Sequence, residues 1–174
     1  LSDIYRSASQ DSKLASVLEV ILSAAPVFSG FVQEQSELED IGVKVFELID
    51  LYENSLRKPQ QAFAWTARLL SIIPQRKEAW SCLIRLAGAV RPTLFSEAIA
   101  MFMDTRQNTS GLLDLDLERD LCLELARVAQ EELKDTDQAL YLNHEVLSLD
   151  PSSTVALRNL EQLHEAQGAW PQVV

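Results

Sequence analysis

The chain has 174 residues, of which 47% are hydrophobic and 24% are charged, a balance typical of one folded domain or of a few units of a repeat protein. Its 15 lysines and arginines against 26 aspartates and glutamates give a net charge of −11, which repels nucleic-acid phosphates and anionic membrane surfaces. We therefore expect neither nucleic acid nor a membrane as a partner. Two cysteines, Cys82 and Cys122, do not make a disulfide framework and are expected in the core. We expect a cytoplasmic protein, although Leu1 as the first residue leaves open a removed leader.

Hydrophobic residues recur at spacings of three and four along most of the chain, which predicts helices. Alternation with a period of two is absent over any useful length, so no strands are expected. Two longer loops are predicted at 26–36 and 107–115, the second because Asn108-Thr109-Ser110-Gly111 is typical of a loop. In chain order, the helices are predicted near residues 1–9, 12–25, 37–56, 59–73, 76–90, 94–106, 116–133, 136–149 and 153–167, with a final helix beginning at 170.

Residues that start and stop helices lie between these segments. Pro74 and Pro151 are expected to end the helices before them, because proline lacks an amide hydrogen and restrains the residue before it. Ser152 and Ser153 are suited to cap the next helix, and Asp135 is suited to cap the helix at 136. The acidic run from Asp114 to Asp120 favours the start of a helix over a metal site, because it lacks the glycine and ligand order of a calcium loop.

The sequence repeats itself without a gap when Glu47 is aligned with Glu124, a spacing of 124 − 47 = 77. A further short pattern occurs three times, at Leu14–Leu18, Phe95–Ile99 and Trp170–Val174, with spacings of 95 − 14 = 81 and 170 − 95 = 75. We therefore predict a single domain over 1–174, built from long units at about 14–94 and 95–169 and a third beginning at 170. The residues that recur at the spacing of 77 include Glu47-Leu48 with Glu124-Leu125, Leu56 with Leu133, Gln61-Ala62 with Gln138-Ala139, Leu70-Ser71 with Leu147-Ser148, Pro74 with Pro151, Ala79 with Ala156, Leu83 with Leu160, Leu86 with Leu163, and Ala89 with Ala166.

Helix pairs that close on an Asp-Pro turn resemble the tetratricopeptide repeat (TPR). Lys77-Glu78-Ala79-Trp80 followed by Leu83 is similar to the opening of helix A in that repeat, and Ser148 to Ser153 is similar to its closing turn. Ala62 and Ala139 occupy the small position of helix B. The resemblance covers essentially the whole chain, and paired, irregular repeats of this kind are similar to those of large bacterial TPR proteins.

The resemblance implies an all-α fold, a right-handed superhelical solenoid of antiparallel helix pairs with helix A of each pair along a concave groove. TPR co-chaperones hold a C-terminal carboxylate with lysine and asparagine at set positions of helix A. Only Asn159 fits that pattern here, so binding of chaperone C-termini is not expected. The residues at those positions are Phe46, Asp50, Cys82, Val155 and Asn159.

No catalytic or cofactor motif is visible in the sequence, and we expect neither enzyme activity nor a bound metal or cofactor. The two histidines, His144 and His164, lie on different predicted helices and lack the spacing of a zinc motif. Cys82 has no neighbours that would lower its pKa and is expected to be a buried thiol. Asn108-Thr109-Ser110 has the form of a glycosylation sequon, but nothing else indicates a secreted protein.

In the TPR-like register, a set of side chains would face the groove and is our candidate partner site. Three arginines on successive helix-A segments contrast with the acidic background, and arginine is suited to bind a carboxylate or stack on an aromatic ring. The alternative is that they are solvated charges paired along their own helices. The candidate residues are Arg85, Arg127, Arg158, Ser81, Leu123 and Gln162, with Glu165 beside them.

These observations predict a non-catalytic scaffold that binds a peptide or protein segment in a concave helical groove. The alternative is an accessory solenoid that docks substrates for, or regulates, a larger multidomain enzyme, and a third is a spacer within a longer array. Both ends of the chain fall inside an apolar pattern, so we also expect a fragment of a longer array that is able to pair end-to-end with a second copy.

Overall fold

The computed structural model describes residues 2–25, 35–108 and 113–166. All regular structure in these residues is helical, with no strand, and most helices pack against their neighbours in sequence. The all-α prediction is therefore confirmed for the described part of the chain. The chain divides into two compact units, Leu1–Arg91 and Pro92–Val174.

Each unit contains four α-helices among its described residues, and each has a short π-helical turn after its second helix. The first unit comprises α1 (Ser2–Ser23), α2 (Gln35–Asp50), the first π turn (Leu51–Ser55), α3 (Pro59–Leu70) and α4 (Lys77–Val90). The second comprises α5 (Thr93–Asn108), α6 (Leu115–Val128), the second π turn (Ala129–Leu133), α7 (Thr136–Leu149) and α8 (Thr154–Ala166).

The predicted helix at 136–149 has the bounds of α7, while other predicted bounds need correction. The helices expected at 1–9 and 12–25 are one helix, α1, because the polar residues between them include no proline or glycine that would break it. The helices expected at 37–56 and 116–133 each consist of an α-helix and a π turn. Of the loops predicted at 26–36 and 107–115, the segments 26–34 and 109–112 lie outside the described residues, as does the pattern at Trp170–Val174. The described ends of these loops are partly helical, because residues 35–36 belong to α2, residues 107–108 to α5 and Leu115 to α6.

The two π turns have the same backbone geometry at matching positions of the repeat. After each turn one residue adopts a left-handed conformation, Arg57 with φ of 54° and Lys134 with φ of 56°. The next amide then donates to a carbonyl earlier in the turn, from Lys58 to Tyr52 at 2.7 Å and from Asp135 to Ala129 at 2.9 Å. The difference 134 − 57 is 77, so the left-handed residue and the hydrogen bond that follows it recur at the spacing of the sequence repeat.

Three predicted capping features are present. The Asp135 carboxylate accepts a hydrogen bond from the amide of Gln138 at 2.9 Å, and Ser153 accepts one from Ala156 at 3.4 Å. Asp114 accepts from the amide of Asp116 at 2.9 Å, so the acidic run does begin a helix, α6. The negative charges of Asp114 and Asp135 also complement the helix dipole.

The apolar residues that recur in the repeat form the core of both units. Leucine and alanine are the commonest residues of the described core, and the small side chain of alanine permits close contact between helices. In each unit the third helix packs against the second and the fourth. The pairs buried in both units are Leu48 with Leu125, Ala62 with Ala139, Ala79 with Ala156, Leu83 with Leu160, and Leu86 with Leu163.

One buried polar contact also recurs in both units. Thr66 and Asn143 occupy matching positions of the repeat, are 0% and 1% exposed, and each donates to the carbonyl one helical turn back at 2.8 Å. In the second unit the amide of Asn159 on α8 donates to Asn143 at 3.1 Å. In the first unit Thr66 Oγ1 lies 3.9 Å from the sulfur of Cys82 on α4. Both units therefore join their third and fourth helices by a polar pair at matching positions.

Candidate functional site

An open groove of about 630 Å³ lies in the first unit between α2, the first π turn and α4; we call it the α2/α4 groove. Its floor is apolar and consists of Ile49 and Cys82, which are buried, and Phe46, which is half-buried. Its rim is polar and charged. The side chains that line it are Phe46, Ile49, Asp50, Glu53, Lys77, Glu78, Ser81, Cys82 and Arg85.

An ion pair between Arg85 and Glu53 joins α4 to the first π turn at the rim of the groove. Both terminal nitrogens of Arg85 donate to the carboxylate, Nη1 to Oε1 and Nη2 to Oε2, the latter at 2.8 Å. These hydrogen bonds lower the pKa of Glu53 and raise that of Arg85, so both groups are charged at neutral pH. Arg85 is 56% exposed but its guanidinium is already engaged by a carboxylate of the same unit.

The floor of the groove contains the thiol of Cys82. Nη2 of Arg85 lies 3.5 Å from its sulfur. Burial nevertheless raises the pKa of the Cys82 thiol and outweighs the opposing hydrogen bond and charge. The thiol is therefore protonated at neutral pH and contributes an uncharged, weakly polar surface to the floor.

Arg76 and Gly42 shape the surface of α2 next to the groove. Arg76 directly precedes α4 and places its guanidinium over the ring of Phe46, 5.3 Å from the ring centroid. Gly42 lies one turn before Phe46 on α2, and a β-carbon there would overlap the guanidinium. The absence of a side chain at Gly42 thus gives Arg76 the space to reach the aromatic ring.

Two further carboxylates lie on opposite walls of the groove. Asp50 ends α2 and Glu78 lies in the first turn of α4, and both residues are exposed. Asp50 accepts a hydrogen bond from Asn54 at 2.6 Å. Neither carboxylate is part of an ion pair among the described residues.

The six residues predicted as a partner site correspond to four positions of the repeat, because Ser81 matches Arg158 and Arg85 matches Gln162. Ser81 and Arg85 line the α2/α4 groove directly. The other four lie on α6 and α8 of the second unit, where Leu123 is half-buried and its three companions are exposed. In the repeat, Leu123, Arg127, Arg158 and Gln162 correspond to Phe46, Asp50, Ser81 and Arg85.

The three predicted arginines have different surroundings. Arg127 pairs along its own helix and π turn, with Glu124 at 2.8 Å and Glu131 at 2.6 Å, as the alternative interpretation of the sequence expected. Arg85 pairs with Glu53, which is distant in sequence and lies on another element. Arg158 is exposed and forms no ion pair with another described residue.

Several groove residues were not among the predicted site residues. The TPR-like register places Phe46 and Asp50 at positions of the carboxylate clamp. The repeat spacing also relates them to two predicted site residues, since they are the counterparts of Leu123 and Arg127. The role of Glu53 depends on a π turn that the hydrophobic pattern does not distinguish from an α-helix.

A second groove of about 590 Å³ lies between α1 and α3 in the same unit, and we call it the α1/α3 groove. Trp65 at its wall is buried and donates from Nε1 to Glu19 at 3.0 Å, and Arg68 lies over the indole at 4.9 Å. Glu19 and Arg68 thus both contact Trp65. The residues lining it are Ser16, Glu19, Val20, Ser23, Ala64, Trp65 and Arg68.

No group of three histidine, cysteine, aspartate or glutamate side chains among the described residues is arranged to hold a metal ion. In the same part of the chain, no helix has the length and apolar character needed to cross a membrane.

The described residues form an all-helical fold in which most helices pack against their neighbours in sequence, and this arrangement is compatible with a helical repeat. Comparison of the chain with known protein families, with curated proteins and with solved structures finds no match in any of the three.

Proposed function

We propose that the protein is a non-catalytic scaffold that binds a peptide or an extended segment of another protein in the α2/α4 groove. The observation that carries the proposal is a contrast between the core and the groove lining. Five buried residue pairs are identical at the repeat spacing, whereas none of the nine lining residues is repeated at that spacing. The repeat thus preserves the packing and varies the groove surface, as expected where the surface serves recognition.

The form of the groove also supports a peptide as the occupant. About 630 Å³ is within the range of ligand sites, roughly 300–1,000 Å³, but the groove is open along the surface rather than closed around a small molecule. An apolar floor with a charged rim is typical of protein interfaces, where the floor supplies affinity and the rim supplies specificity.

We also propose that the whole chain forms a right-handed solenoid similar to that of TPR proteins. In that arrangement Leu123, Arg127, Arg158 and Gln162 would form the corresponding surface of the second unit. A cytoplasmic location is part of the proposal, in keeping with the free thiols of Cys82 and Cys122.

Selection from a displayed library of short random peptides tests the function. An enriched peptide is synthesised, and its affinity is measured by calorimetry for the unchanged chain and for Ser81→Trp, which places an indole on the exposed wall of the groove. The matched control is Gln61→Trp on the exposed surface of α3. We expect at least about tenfold weaker binding for Ser81→Trp, or about 1.4 kcal/mol, and no change for Gln61→Trp. Absence of any enriched peptide, or equal affinities for the two variants, would overturn the proposal.

A further inference from the structure

The charges of the α2/α4 groove indicate the chemistry of its occupant. Arg85 and Lys77 provide two positive charges, and Asp50, Glu53 and Glu78 provide three negative ones, so the lining sums to 2 − 3 = −1. Since Glu53 is bound to Arg85, the carboxylates that form no ion pair among the described residues are Asp50 on the α2 wall and Glu78 on the α4 wall.

We propose that the α2/α4 groove takes a basic peptide segment, with a lysine or arginine held between Asp50 and Glu78 and an adjacent apolar side chain on the floor formed by Ile49 and Cys82. This inference rests on the proposed function and specifies the partner of the same groove. A cation between the two walls gains attraction from both carboxylates without displacing an ion pair among the described residues.

The ion pair between Arg85 and Glu53 disfavours an acidic peptide segment in the groove. Its guanidinium donates two hydrogen bonds to Glu53, and an incoming carboxylate would have to replace Glu53 or share the cation with it. Replacement leaves the Glu53 carboxylate without its cation, and sharing places two like charges close together. The arginine predicted to bind a carboxylate of the partner therefore binds one of its own unit.

The second unit shows that packing does not require an acidic lining. At the nine corresponding positions of that unit, the charged residues are Arg127 and Arg158, which sum to +2. Asp50 corresponds to Arg127 and Glu78 to Val155, while five buried positions carry the same residue in both units. The repeat therefore accepts a cation at the position of Asp50 and an uncharged residue at the position of Glu78, so the carboxylates of the first unit are available for recognition.

Two displayed peptide libraries provide the test. Both contain random uncharged residues, one with lysine or arginine fixed at two central positions and the other with aspartate or glutamate there. We expect the unchanged chain to enrich the basic library about tenfold over the acidic one, and we expect this ratio to fall when the salt concentration is raised from about 0.05 M to about 0.5 M.

The decisive variant is Asp50→Arg with Glu78→Val, which introduces the residues that the second unit has at these positions. We expect this variant to lose or reverse the preference for the basic library. Asp50→Asn with Glu78→Gln, which retains the shape of both side chains, should lose the preference. The control, Asp40→Arg with Glu37→Val, makes the same change of net charge at exposed positions of α2 that do not line the groove, and it should keep the preference. Circular dichroism checks that each variant is folded.

The outcomes separate this inference from the proposed function. Equal enrichment of the two libraries, or preference for the acidic one, would overturn the inference, as would an unchanged preference in both groove variants. In those cases peptide binding, and with it the proposed function, would stand. Failure of both libraries and of the fully random library would overturn the function and the inference together.

Discussion

Arg85 holds Glu53 through both of its terminal nitrogens, and this pair connects α4 to the first π turn across the edge of the α2/α4 groove. The two residues belong to elements separated by the whole of α3. The pair therefore ties the walls of the groove together and determines which charges at its rim are free to meet a partner.

The first prediction concerns the pH dependence of this pair. The hydrogen bonds from Arg85 lower the pKa of Glu53 in the folded chain. The stabilisation of the fold by this ion pair is therefore fully present above the pKa of a glutamate in the unfolded chain, about 4.3. It is lost as the pH falls through the lower folded pKa. We expect Glu53→Gln to lower the free energy of unfolding at pH 7 by less than about 1 kcal/mol, since the Arg85 side chain is 56% exposed and solvent screens its charge. Urea denaturation at neutral and acidic pH measures this difference. Glu78→Gln is the control, and an effect of Glu53→Gln that persists in strong acid would contradict the account.

The second prediction concerns the space that Gly42 leaves for Arg76. Gly42→Ala should gain about 1 kcal/mol of helix propensity and lose about 0.5–1 kcal/mol of cation–π attraction with Phe46, so the net change should be small. The effects of Gly42→Ala and Arg76→Ala on the free energy of unfolding should nevertheless be coupled. Arg76→Ala should destabilise the unchanged chain but have little effect once Gly42→Ala is present, as measured by urea denaturation of the double-mutant cycle. Strict additivity would show that Arg76 does not use the space above Gly42.

The third prediction concerns the closely packed alanines at matching positions of the two units. Ala62 and Ala139 are both fully buried, on α3 and α7. Phenylalanine at either position should overpack the helix contacts and cost about 1–3 kcal/mol. Ala64→Phe, at an exposed position of α3, should cost much less. Thermal and urea unfolding followed by circular dichroism give the comparison, and an undiminished stability of Ala139→Phe would argue against the packing described here.

The fourth prediction concerns the buried polar pair of the second unit. Asn143→Thr removes the acceptor that the Asn159 amide uses, which should cost about 1 kcal/mol. Adding Asn159→Cys introduces the combination found in the first unit, Thr66 with Cys82. We therefore expect the double variant to recover at least half of the lost free energy of unfolding. A double variant that is less stable than Asn143→Thr alone would show that the two polar pairs are not interchangeable.

Much of the helical structure follows from local signals in the sequence. Asp135 and Ser153 are side chains that cap helices by their own chemistry, and the starts of α7 and α8 follow from them. The two π turns could not be predicted, because Leu51–Ser55 and Ala129–Leu133 continue the hydrophobic pattern of the helices before them.

The candidate site could be predicted only in part. The repeat indicates that positions such as Ser81 and Arg85 share a surface, since it aligns them with Arg158 and Gln162. The pair between Arg85 and Glu53 joins residues far apart in the sequence, and no local pattern indicates that the charge of this arginine is already matched. That contact matches the charge of Arg85 with a carboxylate of its own unit, and it supports the proposal of a basic segment as the partner.

The measurement that tests the central claim most directly is a nuclear magnetic resonance titration. The isotope-labelled chain is titrated with the peptide that is enriched most strongly from the random library, and the changes in amide chemical shift are assigned to residues. Binding in the α2/α4 groove predicts that the largest changes fall within residues 46–53 and 77–85, with little change at residues 16–23 and 64–68 of the α1/α3 groove. Largest changes at the α1/α3 groove, or changes of similar size spread over both units, would contradict the account.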